Sequence, residues 1–510
     1  MRRGTAGVTR RRRARTSRCA PGRGDASDAA RRPARRWSAG ARVAFGTLGG
    51  VLAGLVVPAA AGAHGIQLVT DLPIPEWLFA WATAIVLVVS FVALATLWPV
   101  PRLAEPHDRP WLRYPRWLDP LCGAIGIALF VLIVYAGIAG AQLVTANITP
   151  TWIYVVFWVG LAVASVLFGD AFRPFNPWRA IARASAWLTL RLRRGAPGPQ
   201  PLPYPSWLGR WPAAFGILCF AWLELVDSPA QRVEPRLLAF LALAYAAVQL
   251  VAMSLYGIET WSERGDAFSV YFGLFALMAP LRWEDGRIYR RAPFVGAVSL
   301  EPLPGTIALI AVMIGSTSFD GLSNGTVWIS LFPHLYSLFT SLGVSNANAA
   351  SEYAYTLGLV AMVAIVGGLY RLGTLGMRSI GGYEASDLAR RFAHTLLPIS
   401  IAYVIAHYFS LLAFSGQSMI YLASDPLGTG ANIFGTANFQ PNLAIVTGNV
   451  VWYVQVGALI VGHVGALALA HDRALTLYRR ARDATRSQYW MLTVMVTFTS
   501  LGLWILSSTQ

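Results

Sequence analysis

Ten stretches of this sequence run apolar for close to the ~20 residues with which an α-helix crosses the hydrocarbon core of a bilayer. They fall at about 77–98, 121–144, 151–168, 211–226, 237–256, 305–319, 353–370, 393–414, 446–470 and 489–507. In lipid every backbone N–H and C=O must be paired inside the protein, so such runs fold as helices. The expected fold class is therefore all-α: a polytopic integral membrane helical bundle of about ten spans after an N-terminal signal peptide. With 55% hydrophobic and only 13% charged residues, the chain is too apolar for a soluble enzyme, and its expected surroundings are a lipid bilayer. Two further segments, 268–281 and 327–342, are apolar but short or amphipathic, which suits an interfacial or re-entrant position.

The net charge of +17 resembles a nucleic-acid signal until it is located. Residues 1–63 hold 14 Arg against Asp25 and Asp28, so most of the excess sits there and no nucleic-acid partner is expected. Residues 1–42 lack apolar periodicity and read as a disordered Arg-rich leader, or as sequence upstream of the true start. The apolar stretch 43–60 ends in Ala61-Gly62-Ala63, a small-residue cleavage site. Residues 43–63 thus read as a signal peptide and 64–510 as a single multi-span membrane domain. Cleavage there would make His64 the new N-terminus, where an amine and an imidazole together suit copper. Cys19, Cys122 and Cys219 show neither a disulfide framework nor zinc spacing.

Arginine-rich loops follow the first, third and ninth runs and precede the sixth and eighth. All of these fall on one side, which the positive-inside rule makes cytoplasmic, leaving both mature termini outside a bacterial plasma membrane. One internal repeat is visible. Gly169-Asp170-Ala171-Phe172 with Trp187 recurs as Gly265-Asp266-Ala267-Phe268 with Trp283 at the same offset, suggesting a duplicated helical pair at about 151–227 and 237–320. The tetrapeptide also suits a helix cap, since Asp is a preferred N-cap residue.

A charged side chain at membrane depth costs about 2.5–3.5 kcal/mol on insertion scales, so each ionisable residue there asks for a function. Ser400, Tyr403, His407 and Ser410 share one helical face. The topology puts His407 in an outer layer with Asn449, Glu224, Asp227, Asp320 and Asp425, to which outer loops add His334, Glu352 and His64. Imidazole and carboxylate ligands together suit zinc, manganese or copper. His407, His64, Asp320 and Glu224 are the candidate metal ligands, and Asp425 is the candidate catalytic base for metal-assisted hydrolysis. No H-x-H, H-E-x-x-H or Walker motif occurs, so the ligands would have to come from separate helices. An inner layer of His394 and His463 suits either a haem held between helices or hydrogen bonds inside the bundle. His471, at a helix end, suits a cation complementing the dipole.

Phe168–Arg179 (FGDAFRPFNPWR), Arg264–Ala276 (RGDAFSVYFGLFA), His407–Gln417 (HYFSLLAFSGQ), Trp452–Leu475 and Arg486–Leu492 (RSQYWML) carry a resemblance. In these segments, within about residues 60–510, the chain resembles a group of actinobacterial multi-pass membrane proteins labelled fenitrothion hydrolase. That resemblance implies hydrolysis of a phosphorus–oxygen ester in an organophosphorus compound, by one component of a membrane complex with partner subunits. The sequence shows nothing of the two-metal, histidine-rich β/α-barrel pattern of soluble phosphotriesterases. Three function classes stay open: a hydrolase acting on a small-molecule substrate, a transporter or copper-handling membrane protein, and a haem-binding redox subunit.

Overall fold

The computed structural model describes residues 76–103, 107–193, 200–228 and 230–507, with side chains described from 81 to 500. The leader, the signal peptide, Cys19 and His64 lie outside the described residues. The chain divides into units 1–48 and 49–510, and everything described belongs to the second. All ten apolar runs are helical. They form α1 (Glu76–Leu97), α2 (Leu118–Ala139), α3 (Ile148–Phe168), α5 (Trp211–Leu225), α6 (Pro235–Tyr256), α9 (Thr306–Ser323), α11 (Ala347–Met377), α13 (Leu397–Phe414), α14 (Gly448–Leu477) and α15 (Tyr489–Ser507). Between them lie α4 (Pro177–Leu192), α7 (Ile258–Arg264), α8 (Ala267–Ala276), α10 (Thr326–Ser341) and α12 (Ala385–Phe392).

Among the described residues, seven helical segments are long and apolar enough to cross a membrane: α2, α3, α6, α9, α11, the run Ala385–Ser424 that contains α13, and α14. Their outward faces are apolar as well. Val131 and Tyr135 of α2, Val248 and Val251 of α6, and Val360 and Ile365 of α11 are all exposed, as side chains facing lipid would be. Of the two ambiguous segments, α8 is buried among the other helices, whereas α10, with Pro333 inside it, buries only Trp328. Arg291 seals the end of α8: its Nε donates to the Ala279 carbonyl and its Nη2 to that of Ala276, both at 2.9 Å.

Among the described residues, three short strands stand beside the helices: β1 (Arg109–Arg113), β2 (Leu281–Glu284) and β3 (Arg287–Arg290), antiparallel in the order β1-β3-β2. Asp285-Gly286 joins β2 to β3 with φ of 48° and 76°, the positive pair that a two-residue hairpin turn of matching twist requires.

The second Gly-Asp-Ala-Phe copy caps a helix, α8, through Asp266, whereas in the first the Asp side chain braces a short turn. Asp170 Oδ1 accepts the Arg173 backbone N–H at 3.0 Å, and Asp266 accepts that of Ser269 at 3.4 Å. Asp266, with none of its surface exposed, does more. Its Oδ2 accepts from Asn176 Nδ2 (3.0 Å), Trp178 Nε1 (2.6 Å) and Ser269 Oγ (2.6 Å), and its Oδ1 accepts from the Tyr245 hydroxyl (2.7 Å). One carboxylate thereby ties together α4, α6 and α8. The matching tryptophans diverge: Trp283 Nε1 donates to the Phe168 carbonyl at 2.6 Å, while Trp187 lies exposed beneath Arg191.

His471 is not a surface cation. It is buried, its Nε2–H donating to the Trp98 carbonyl at 3.1 Å, while the adjacent Asp472 accepts from Trp98 Nε1 and the Leu103 backbone N–H, both at 3.0 Å. These bonds fasten the end of α1 to α14.

Removing the hub carboxylate strands several buried donors at once, each worth about 1–3 kcal/mol. Asp266→Ala should therefore lower stability by about 3–5 kcal/mol, the range for breaking a buried charged network, read as the shift in unfolding midpoint of the detergent-solubilised protein. A second prediction concerns Glu259 of α7, which pairs with Arg173 (3.0 Å), Arg179 (3.0 Å) and Arg183 (2.8 Å). Burial opposes its ionisation, but the guanidinium groups, Arg179 foremost, outweigh this and bring its pKa down to about 2. A depressed carboxylate stabilises fully above its ordinary value and loses that contribution as pH falls through the folded one. The stability gap between wild type and Glu259→Gln should hold above pH 4.5 and close between there and about pH 2, followed by unfolding midpoints in a pH series.

Candidate functional site

Asp320 sits in the last two turns of α9, a helix buried along most of its length. Across from it, α13 presents His407, whose Nε2 lies 2.8 Å from Asp320 Oδ2. The neighbouring Tyr408 hydroxyl donates to the same oxygen at 3.0 Å. Glu224, near the end of α5, faces this group, with Asp320, the Tyr408 hydroxyl and the Trp158 indole as its neighbours. Arg232, from the loop after α5, donates through Nη1 to the Glu224 carbonyl at 3.0 Å and lies within electrostatic reach of both carboxylates. The Tyr154 hydroxyl in turn donates to the Arg232 carbonyl at 2.6 Å. The cluster lies at the end of the bundle away from the basic loops and is not sealed: His407 and Asp320 keep 24% and 18% of their side-chain surface exposed.

The wall opposite α13 has an unusual backbone. Within α3, Trp152–Gly160 winds as a π-helix, a form that is rare and concentrates at functional sites. This turn carries both Tyr154 and Trp158. Trp158 is 3% exposed and stacks on Tyr271 of α8 with ring centroids 4.6 Å apart. Its indole N–H lies close to Glu224 and Tyr408.

Of the residues expected to act together, His407 and Asp320 meet in direct contact, and Glu224 joins their surroundings. Among the described residues no three His, Cys, Asp or Glu side chains are grouped to hold an ion, and His64, the fourth expected ligand, lies outside them. Asp425, expected as a base, instead organises its own loop. Its Oδ1 accepts the Thr429 backbone N–H at 3.0 Å and its Oδ2 that of Gly430 at 2.7 Å. Slight burial opposes ionisation of Asp425, but these backbone donors hold its pKa below the ordinary carboxylate value. Asn449 is exposed at the start of α14, and His334 is exposed with Nδ1–H donating to the Ser330 carbonyl at 3.0 Å, so its own helix holds that nitrogen.

The two inner histidines are both buried, yet they stand at different heights. Gly462, the residue before His463, packs between Ala402 and the Pro398 carbonyl, which puts His463 level with about Ser400, whereas His394 lies six residues earlier on the 3₁₀ turn Ala393–Leu396, one to two turns further toward the basic loops. His463 Nδ1–H donates to the Leu459 carbonyl at 2.7 Å, and His394 sits beside the Arg391 carbonyl and near Arg473.

Sequence reasoning missed Tyr408, Trp158 and Arg232. Tyr408 follows His407 by one position, off the polar stripe that selects its neighbour, and Trp158 looks like packing in an apolar run. The π-winding that aims Trp158 leaves no periodic signal in WIYVVFWVG.

Because imidazole and carboxylate are largely withdrawn from water, removing either strands the other. Asp320→Ala should cost about 3 kcal/mol of stability, and a double-mutant cycle with His407→Ala should return a coupling of about 1–3 kcal/mol, measured by unfolding in detergent. Additive single effects would mean that the pair does not interact. Compared with known proteins, the chain matches no family model, no curated protein and no solved structure.

Proposed function

We propose that this protein is a proton-coupled transporter of the bacterial plasma membrane, with His407, Asp320 and Glu224 as its proton-binding site. The observation that carries this reading is the His407–Asp320 contact of 2.8 Å, set among Tyr408, Glu224 and Arg232 between helices long enough to span a bilayer. Ionisable groups that face a bundle interior and pair with one another mark proton relays and ion paths. An imidazole held against a carboxylate can take up a proton, turning a net charge of −1 into a neutral ion pair, and release it again. A second carboxylate offers the proton an alternative seat.

The same reading covers the finer organisation: ten spans, a signal peptide removed before His64, both mature termini outside, and the cluster opening to the outer side. Duplication of the helical pairs at about 151–227 and 237–320 suits transporter architecture. Partner subunits in the membrane belong to it as well, and copper held by a mature His64 at the outer face is the metal-handling form of the proposal.

A second reading follows from the resemblance to the fenitrothion-hydrolase group. There the His407 imidazole, oriented by Asp320, would act as general base on a water attacking a phosphorus ester. A haem-holding redox subunit is a third, resting on His394 and His463.

One reconstitution separates these readings. In proteoliposomes, a solute panel should elicit solute-dependent alkalinisation outside and acidification inside, and Asp320→Asn or His407→Ala should abolish it at unchanged protein content. Hydrolysis of a phosphotriester without solute-linked proton movement would replace the transporter with the hydrolase. A Soret band in protein made with ample haem would support the redox subunit.

A further inference from the structure

Polar atoms that lack partners continue from the His407–Asp320 pair into the interior. Among the described residues, Tyr403 OH, Ser400 Oγ, Gln455 Oε1, His463 Nε2 and His394 Nε2 have no hydrogen-bond partner, and each of these residues is at least nine-tenths buried. Such groups are rare in folded proteins and, when buried, are commonly served by ordered water.

They form a file. α13 and α14 cross closely where a Cβ on Gly462 would lie 2.3 Å from Ala402 Cβ and 2.6 Å from the Pro398 carbonyl. That crossing sets the register: His463 is level with Ser400, and Gln455, about two turns away, is level with His407. Tyr403 lies one turn inward from His407, and its ring is in contact with that of His463, centroids 6.2 Å apart. Another turn leads to Ser400 and His463, and a further one to two turns to His394, near Arg473 at the basic-loop end. The tautomer of His463 is set by its surroundings. A carbonyl only accepts, so the 2.7 Å bond to Leu459 puts the proton on Nδ1 and leaves Nε2 with a free lone pair.

We propose that this file holds a chain of buried waters that conducts protons between the His407–Asp320 pair and the basic-loop side of the membrane, through Tyr403, Ser400, His463 and His394. It rests on the transporter reading and adds the inner half of its proton path. Tyr403, Ser400 and the waters accept a proton at one lone pair while releasing another, and His463, whose Nδ1–H is held by the Leu459 carbonyl, takes up and releases its proton at Nε2, so no bond other than O–H or N–H forms or breaks.

Two measurements on the full chain test it. Radiolytic hydroxyl labelling, read by mass spectrometry, marks side chains beside bound water. Tyr403 should be labelled, whereas Tyr370, whose hydroxyl already donates to the Ala389 carbonyl at 2.6 Å, should not. In vesicles carrying a pH-sensitive dye, a potassium diffusion potential should drive proton entry that Tyr403→Phe and His463→Leu each reduce at least tenfold. Tyr403→Phe removes only a hydroxyl and should preserve the fold, checked by its unfolding midpoint. An unlabelled Tyr403, proton entry no faster than in empty vesicles, or equal entry in the variants would overturn the file. Coupled solute uptake persisting alongside any of these would leave the transporter standing without it. Labelling and variant-sensitive proton entry with no solute uptake would keep the file and remove the transporter.

Discussion

A polar group inside an apolar bundle has no solvent to turn to, and much of this protein's architecture follows from how each one finds a partner. Asp266 is the clearest case: a fully buried carboxylate is tolerable because several side-chain donors converge on it, and in doing so they fix where three helices meet. Arg291 applies the same rule in reverse, offering its guanidinium donors to carbonyls at the end of a helix that stops inside the bundle. Asp472 and His471 do so at the junction of α1 and α14.

The candidate site obeys this rule with less redundancy. Asp320 has the His407 imidazole and the Tyr408 hydroxyl as its side-chain partners. Asp266 instead accepts from four side-chain donors. Two buried carboxylates thus differ in role: one is saturated by neutral donors that cannot move, and the other faces an imidazole with a titratable proton.

How much of this was legible depended on the kind of signal. The ten helices could be read from run length, because the cost of unpaired backbone in lipid leaves few alternatives. The convergence of Glu224, Asp320 and His407 was readable too, because alternating spans give each residue a depth. Depth says nothing about azimuth. Asp425 and Asn449 share the expected level yet point to a local turn and to the surface, and only packing reveals that. The antiparallel hairpin at Asp285-Gly286 passed unnoticed in a chain whose apolar runs direct attention to helices.

By itself the sequence determined the class of solvent, the helical elements, and the end of the bundle at which each ionisable group lies, since hydrophobic length and charge asymmetry act residue by residue. Tertiary structure alone decided which of those groups touch. Whether His407 meets Asp320, whether a π-turn carries Trp158 toward Glu224, and whether the orphaned atoms of α13 and α14 line up depend on helix rotation and close approach at residues such as Gly462. Those are set by side-chain packing between segments far apart in the chain, which no local pattern records.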